Sequence, residues 1–265
     1  MKDDEFMKIS IIGAGRVAYH LFQVLKDQHE IIQIFSRTGK FHGLSADQNA
    51  PQIISDLDLL SSETELSIIA VSDQAISDII VPIHQVLPDA LIVHTSGSTH
   101  ISRLTAVHQR AGVFYPLQTF SVERAVDWSS TPLFVEATDT EDLRRLTELA
   151  ESLSRQVYAY TSEQRLSLHL AAVFACNFSN YCYDMAKQIV DARRVDFSLL
   201  YPLINETAQK AQQADPQLMQ TGPAMRGDMN ILEMHQHMLN QSQRKDLSDV
   251  YQLLSGQIKE RHTAS

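Results

Sequence analysis

The most restrictive feature of this chain is a six-residue turn near its N-terminus, Gly13-Ala14-Gly15-Arg16-Val17-Ala18. It lies between an apolar β-branched run, Ile9-Ser10-Ile11-Ile12, and a stretch whose apolar side chains recur at helical spacing. A strand that turns this sharply into a helix needs a glycine at Gly13 and an unobstructed backbone at Gly15. It also needs a small side chain at Ala18, so that helix and strand can lie close. The chain has nine glycines in 265 residues, and two of them sit in this turn.

From Lys8 to about Tyr160 short β-branched runs alternate with helix-compatible stretches, the rhythm of a parallel sheet built from βαβ units. Strands are expected at Lys8–Ile12, Ile31–Ser36, Ser67–Val71, Ala90–Thr95, Gly112–Tyr115 and Leu133–Glu136. Several are apolar at consecutive positions, as strands covered on both faces should be. After Tyr160 the pattern is helical only. Thr161 and Gln164 have the spacing of a capping box, and a long helix is expected to run from there to about Asp191. Further helices are expected near 196–213, 228–240 and 245–259. Residues 1–160 carry 12 basic and 21 acidic side chains, and residues 161–265 carry 10 and 11. The predicted architecture is therefore α/β, with a mostly parallel sheet over 1–160 and an all-α domain over 161–265.

The whole chain has 22 Lys+Arg against 32 Asp+Glu, a formal charge of −10. It lacks the basic field that nucleic acid or an anionic membrane would require, and neither is an expected partner. Cys176 and Cys182 are six apart in one apolar segment, a spacing that fits neither a bridge nor a metal site. His235 and His237, two apart on a helix, face different ways, so no metal is expected. With no secretory signal and no long apolar run, the expected location is the cytoplasm.

A glycine turn in this position is the fingerprint of a dinucleotide-binding unit. Gly13, Ala14, Gly15, Arg16 and Val17 would hold the pyrophosphate at the positive end of a helix. About twenty residues on, where an NAD enzyme places an acidic residue for the ribose, this chain has Ser36-Arg37-Thr38. A guanidinium can clamp a 2′-phosphate bidentately, so NADP is favoured over NAD. Later strand ends read Val71-Ser72-Asp73 and His94-Thr95-Ser96-Gly97-Ser98. These should border the ribose and nicotinamide, with the Ser96–Ser98 hydroxyls and backbone amides available to a substrate.

On the long helix, Arg165, His169, Cys176 and Asn180 form a polar stripe at 100° per residue. Leu166, Leu170, Phe174, Phe178 and Tyr181 form an apolar arc wide enough to predict that the helix is buried, either within the chain or by a second subunit. Asn177 lies inside that arc and would need a hydrogen-bond partner. His169 has the chemistry of an acid/base for carbonyl or imine reduction. The turn Thr221-Gly222-Pro223-Ala224-Met225-Arg226-Gly227-Asp228 should end in an Asp228 N-cap and present Arg226 to an anionic group.

The segments G-A-G-R-V-A, A-V-S-D, H-T-S-G-S, Y-P-L-Q-T-F, H-L-A-A-V-F-A-C-N-F and T-G-P-A-M-R-G-D occur in this order along nearly the whole chain. Together they resemble a bacterial family described as NADP oxidoreductases. Its N-terminal half is Rossmann-like, and its helical C-terminal half is catalogued as a domain of unknown function. The wider superfamily includes 6-phosphogluconate dehydrogenase, the β-hydroxyacid dehydrogenases and pyrroline-5-carboxylate reductase. The resemblance implies a 6-phosphogluconate-dehydrogenase-like C-terminal domain, an active site between the domains and a homodimer formed through the helical half. It assigns Gly13, Gly15, Arg16, Ser36 and Arg37 to the cofactor, and Ser96, Gly97 and Ser98 to the substrate side.

Two departures matter. Hydroxyacid dehydrogenases carry Lys-x-x-x-Asn on the long helix, whereas Val173 stands four residues before Asn177 here. The family more often has His where this chain has Tyr115. The expected function is an NADP-dependent oxidoreductase acting on a small carbonyl, imine or hydroxy compound. His169 and Asn177 would be catalytic, and Ser96, Gly97, Ser98, Tyr115 and Arg226 would lie toward the substrate. The absent lysine leaves open a non-catalytic NADP(H) sensor or regulatory protein.

Overall fold

The computed structural model describes residues 6–42, 44 and 50–263. The chain packs as two compact units, 1–175 and 176–265. In the first unit the elements are β1 (Lys8–Ile12), α1 (Arg16–Leu25), β2 (Glu30–Phe35), β3 (Gln52–Ile54), β4 (Leu66–Ile69) and α2 (Asp73–Val86). They continue with β5 (Leu91–His94), α3 (Ser102–Thr105), β6 (Ala111–Pro116), β7 (Leu133–Ala137), α4 (Thr140–Leu153), β8 (Val157–Ala159) and α5 (Ser162–Ala172).

Eight strands form one sheet in the order β3-β2-β1-β4-β5-β6-β7-β8. This is the doubly wound order of a Rossmann-type sheet. Every neighbouring pair is parallel except β6–β7, where Tyr115 opposes Phe134 in an antiparallel register. The inner strands β1, β4, β5 and β6 are almost wholly buried, because helices cover both faces. On one face Ile9, Ile11, Leu21, Leu25, Leu146 and Leu149 share a core. On the other, Ile12, Ile69, Ile76, Ile80, Ile92 and Leu104 share a second. Each fully buried side chain of this size contributes about 1.5–3 kcal/mol.

The two strands that sequence patterning misses, β3 and β8, have three residues each and form the two edges of the sheet. Runs this short carry no period.

The Thr161/Gln164 capping box is present at the start of α5. α5 then passes through a π-helical turn, Val173–Phe178, into α6 (Ser179–Asp191). The second unit continues with α7 (Tyr201–Gln213), α8 (Pro223–Arg226), α9 (Met229–Gln241) and α10 (Lys245–Thr263). α9 and α10 pack together, with His235 Nδ1 2.9 Å from the Tyr251 hydroxyl and the Ser248 hydroxyl donating to Asn240 at 2.9 Å. Among the described residues, no helix is long and apolar enough to cross a membrane.

The long helix departs from expectation in its polar stripe and at Asn177, and leaves only one of the two expected covers for its apolar arc. The π-helical turn shifts the register, so the polar stripe does not run through: Arg165 is buried, His169 is half-buried, and Cys176 and Asn180 are exposed. The apolar arc is not covered within the chain, since Leu170, Phe174, Phe178 and Tyr181 are 49–63% exposed. Amphipathic patterning shows which face seeks cover but not what provides it. Asn177 is exposed as well, and water relieves it of the partner that burial would demand.

Candidate active site

The glycine turn sits where β1 hands over to α1, at the carboxyl ends of the strands. Gly13 has φ +135°, and a Cβ there would lie 2.3 Å from the Ala70 carbonyl oxygen. Its N–H donates to the Phe35 carbonyl at 3.0 Å, while Ala70 N–H donates to Ile12 at 2.8 Å. The turn is thus clamped between the ends of β2 and β4, and only glycine fits. Gly15 is the N-cap of α1, and no atom lies within 4 Å of a Cβ built on it. The backbone here is open to a ligand, as the pyrophosphate of a dinucleotide requires.

Arg16 beside this turn and Arg37 at the end of β2 are both exposed. Neither belongs to any hydrogen bond or ion pair among the described residues. Ser36 is buried, with its hydroxyl donating to the Lys40 carbonyl at 2.6 Å and lying 3.3 Å from Thr38 Oγ1. That loop holds Arg37 outward beside Thr38. Two unpaired guanidinium groups near an open helix N-terminus fit a phosphate-rich ligand. Val71 is half-buried, and Ser72 and Asp73 are exposed. Ser72 is the N-cap of α2 but makes no side-chain capping bond.

The loop after β5 is built on a buried imidazole. His94 has no exposed surface, and its Nδ1 accepts the Ser96 N–H at 3.2 Å. Burial, reinforced by the nearby Arg165 charge, pushes its pKa down to about 3, so the ring is neutral with its proton on Nε2. That Nε2–H has no partner among the described residues. The Ser96 hydroxyl in turn accepts the N–H groups of Ser98 and Thr99 at 3.1 and 2.9 Å. The Ser96 and Ser98 amides are therefore used to fix the loop. The Ser98 hydroxyl, at the exposed rim, donates to Asp73.

Gly97 faces two side chains. A Cβ at this position would lie 2.6 Å from His169 Nδ1 and 2.7 Å from the Tyr115 hydroxyl. These two atoms are 3.3 Å apart, with the rings edge-on at 66°. β6 thus brings Tyr115, and α5 brings His169, to one point under the β5 loop. Burial raises the Tyr115 phenol to about 12, so it keeps its proton at any working pH.

Arg165, one turn before His169, is 1% exposed. It donates to Glu136 at 2.5 Å, to the Thr99 carbonyl and to the Ser162 hydroxyl at 3.2 Å. Glu136 also accepts the Ser162 N–H and hydroxyl at 3.1 and 2.8 Å. This buried ion pair ties the first turn of α5 to β7 and to the β5 loop, and so fixes where His169 stands.

In the second unit, Asp228 occupies the N-cap of α9 but makes no capping bond. Its carboxylate instead pairs with Arg226 at 2.8 Å, which satisfies the arginine expected to be available. Sequence reasoning did not single out His94 within H-T-S-G-S or Glu136. A histidine ending an otherwise apolar buried strand was the available signal for the first, and Glu136 carried none.

The model for the family described as a domain of unknown function, DUF2520, matches residues 131–258. No curated protein matches the chain. A crystal structure of a Bacteroides fragilis protein described as a "putative NADP oxidoreductase" is 38% identical. The match covers 97% of this chain and 100% of that one, with a TM-score of 0.87. A Thermotoga maritima protein is 21% identical over 97% of this chain and 98% of that one, with a TM-score of 0.69. An imine reductase from Myxococcus stipitatus, solved with NAD+, shares the fold at 11% identity and a TM-score of 0.62, over 97% of this chain and 99% of that one. The glycine turn, the doubly wound sheet and the full-length likeness at 38% identity converge on one assignment: this chain belongs to the Rossmann-like NADP oxidoreductase family that carries the DUF2520 domain.

Proposed function

We propose that the protein is an NADP-dependent oxidoreductase that moves a hydride between NADPH and a small carbonyl, imine or hydroxy compound. The observation that carries this reading is the pair of unpaired arginines, Arg16 and Arg37, flanking a glycine turn that is open at Gly15. Gly13, Ala14, Gly15, Arg16 and Val17 would hold the pyrophosphate. Ser36, Arg37 and Thr38 would take the 2′-phosphate, and Val71, Ser72 and Asp73 would border the ribose and nicotinamide. Bound NADPH supplies the hydride.

His169 exchanges the proton at the substrate oxygen or nitrogen. Tyr115 and the Ser96–Gly97–Ser98 loop lie against it, and Ser98 presents a hydroxyl at the rim. Asn177, two turns further along the same helical run, would orient the substrate. Arg226 could take an anionic group only by leaving Asp228. The reading also makes the protein a cytoplasmic homodimer, with the exposed Leu170, Phe174, Phe178 and Tyr181 in the contact. Sedimentation should give a dimer that Leu170→Glu weakens, and a monomeric wild type would refute it.

Calorimetric titration of NADPH and NADH against wild type and Arg37→Ala tests the cofactor. NADPH should bind at micromolar Kd or tighter. Arg37→Ala should weaken NADPH about tenfold or more, corresponding to about 1.4 kcal/mol, and leave NADH unchanged. Binding of neither nucleotide would refute the reading.

A further inference from the structure

We propose that Tyr115 is a positioning residue that donates its hydroxyl proton to His169 Nδ1 and thereby holds the neutral imidazole as the Nε2–H tautomer, with that N–H directed away from Tyr115 as the hydrogen-bond donor to the substrate oxygen or nitrogen. The substrate-facing part of this rests on the function proposed above, whereas the tautomer itself does not.

The argument is one of hydrogen-bond accounting. The Tyr115 side chain is 9% exposed, and the only hydrogen bond of its hydroxyl among the described residues is the 3.3 Å contact to His169 Nδ1. A phenol has one proton to give, and a neutral imidazole has one nitrogen that donates and one that accepts. If Nδ1 carried the hydrogen, the Tyr115 proton would be left unpaired in a buried place, at a cost of about 1–3 kcal/mol. If Tyr115 donates, both groups are satisfied and the ring hydrogen must sit on Nε2. The phenol does not escape by ionising, because burial keeps it protonated.

The surroundings hold this pair together. Gly97 has no side chain to separate them, and a Cβ there would fall within 2.7 Å of both bonded atoms. The loop carrying Gly97 is pinned by the His94–Ser96 and Ser96–Thr99 hydrogen bonds. The helix carrying His169 is pinned by Arg165 to Glu136. Tyr115 itself lies on β6, its ring tilted against Phe134 at 6.1 Å between ring centroids. Neither partner is free to choose another geometry.

Two variants separate the hydroxyl from the packing. Tyr115→Phe removes the donor and leaves the ring. Gly97→Ala leaves the donor and wedges a methyl group between the two atoms. The readout is the tautomer of His169, from long-range 1H–15N correlation spectra of protein labelled with 15N-histidine, with the resonance assigned by its loss in His169→Gln. Wild type should show a single Nε2–H tautomer with a hydrogen-bonded Nδ1. In both variants the Nδ1 signal should move toward that of an unbonded acceptor, with the other tautomer mixed in.

NADPH affinity should not change, because neither residue lies in the phosphate cradle. Once a substrate is in hand, Tyr115→Phe should lower kcat about tenfold without changing the NADPH Kd. An Nδ1–H tautomer in the wild type, or spectra unchanged in Tyr115→Phe, overturns the proposal whether or not the variants fold equally well. A protein that binds no NADPH but shows the expected tautomer refutes the function and leaves this inference standing.

Discussion

The buried imidazole beneath the β5 loop makes stability depend on pH in a way that can be isolated. His94 titrates at an ordinary value of 6.5 when the chain is unfolded and at about 3 in the folded protein. Because the folded value is the lower one, the associated stability is fully present above pH 6.5 and is lost as the pH falls toward 3. Between those limits the unfolded chain holds one more proton at this site than the native chain does. From pH 7.5 to pH 5 the loss amounts to about 2 kcal/mol, at 1.36 kcal/mol per unit of pKa difference.

Asparagine at this position can still accept the Ser96 N–H but does not titrate, so His94→Asn should remove this component and leave the rest. The chain has a single tryptophan, Trp128, which packs against the same core as α1 and α4, so its fluorescence in urea reports on the unit that contains His94. The difference in unfolding free energy between wild type and His94→Asn should shrink by about 2 kcal/mol between pH 7.5 and 5. His108, whose pKa burial also lowers, is common to both proteins and cancels. Curves for the two proteins that stay parallel across this range would refute the account of His94 as a buried neutral acceptor.

The two glycines of the cofactor turn should behave oppositely when changed to alanine. Gly13→Ala meets the Ala70 carbonyl at 2.3 Å and a φ of +135°, and should cost more than about 3 kcal/mol of stability in urea unfolding. Gly15→Ala meets nothing and should stay within about 0.5 kcal/mol of wild type, while NADPH affinity falls at least tenfold in calorimetry. Glu136→Gln leaves the 1%-exposed Arg165 without its carboxylate and should cost about 3–5 kcal/mol by the same tryptophan signal. A loss below 1 kcal/mol would mean the pair is not the clamp described above.

What the sequence made legible follows from the range of the interactions involved. Gly13, Gly15 and the strand–helix pair around them are specified by neighbours in the chain, and the expected turn is the one found. The runs at Lys8–Ile12 and Leu133–Ala137 announce themselves because strands covered on both faces are apolar at consecutive positions. Gln52–Ile54 and Val157–Ala159 are strands only because β2 and β7 present hydrogen-bonding edges to them, and no local pattern encodes that. The same distinction divides the site. Arg37 is placed by the fingerprint, but the meeting of Tyr115 and His169 across 54 residues depends on sheet register and on the Arg165 clamp. A helical wheel grouped Arg165 with Cys176 and Asn180, and the π-helical turn at Val173–Phe178 undoes that grouping.

The strand order has a consequence for how the protein is made. Of the eight strands, β1 is made before the others and ends in the interior of the sheet, with β2 and β3 on one side and everything later on the other. β4 then joins the free side of β1, and from β5 to β8 each newly synthesised strand joins the edge formed by the one before it, so no strand has to be inserted between two already paired. Growth of this kind lets translation and sheet assembly proceed in the same direction, with only one unfinished edge at a time. That edge is at its most aggregation-prone when it is Leu91–His94 or Ala111–Pro116, and it is closed by β8, a strand of three residues too short to recruit another chain.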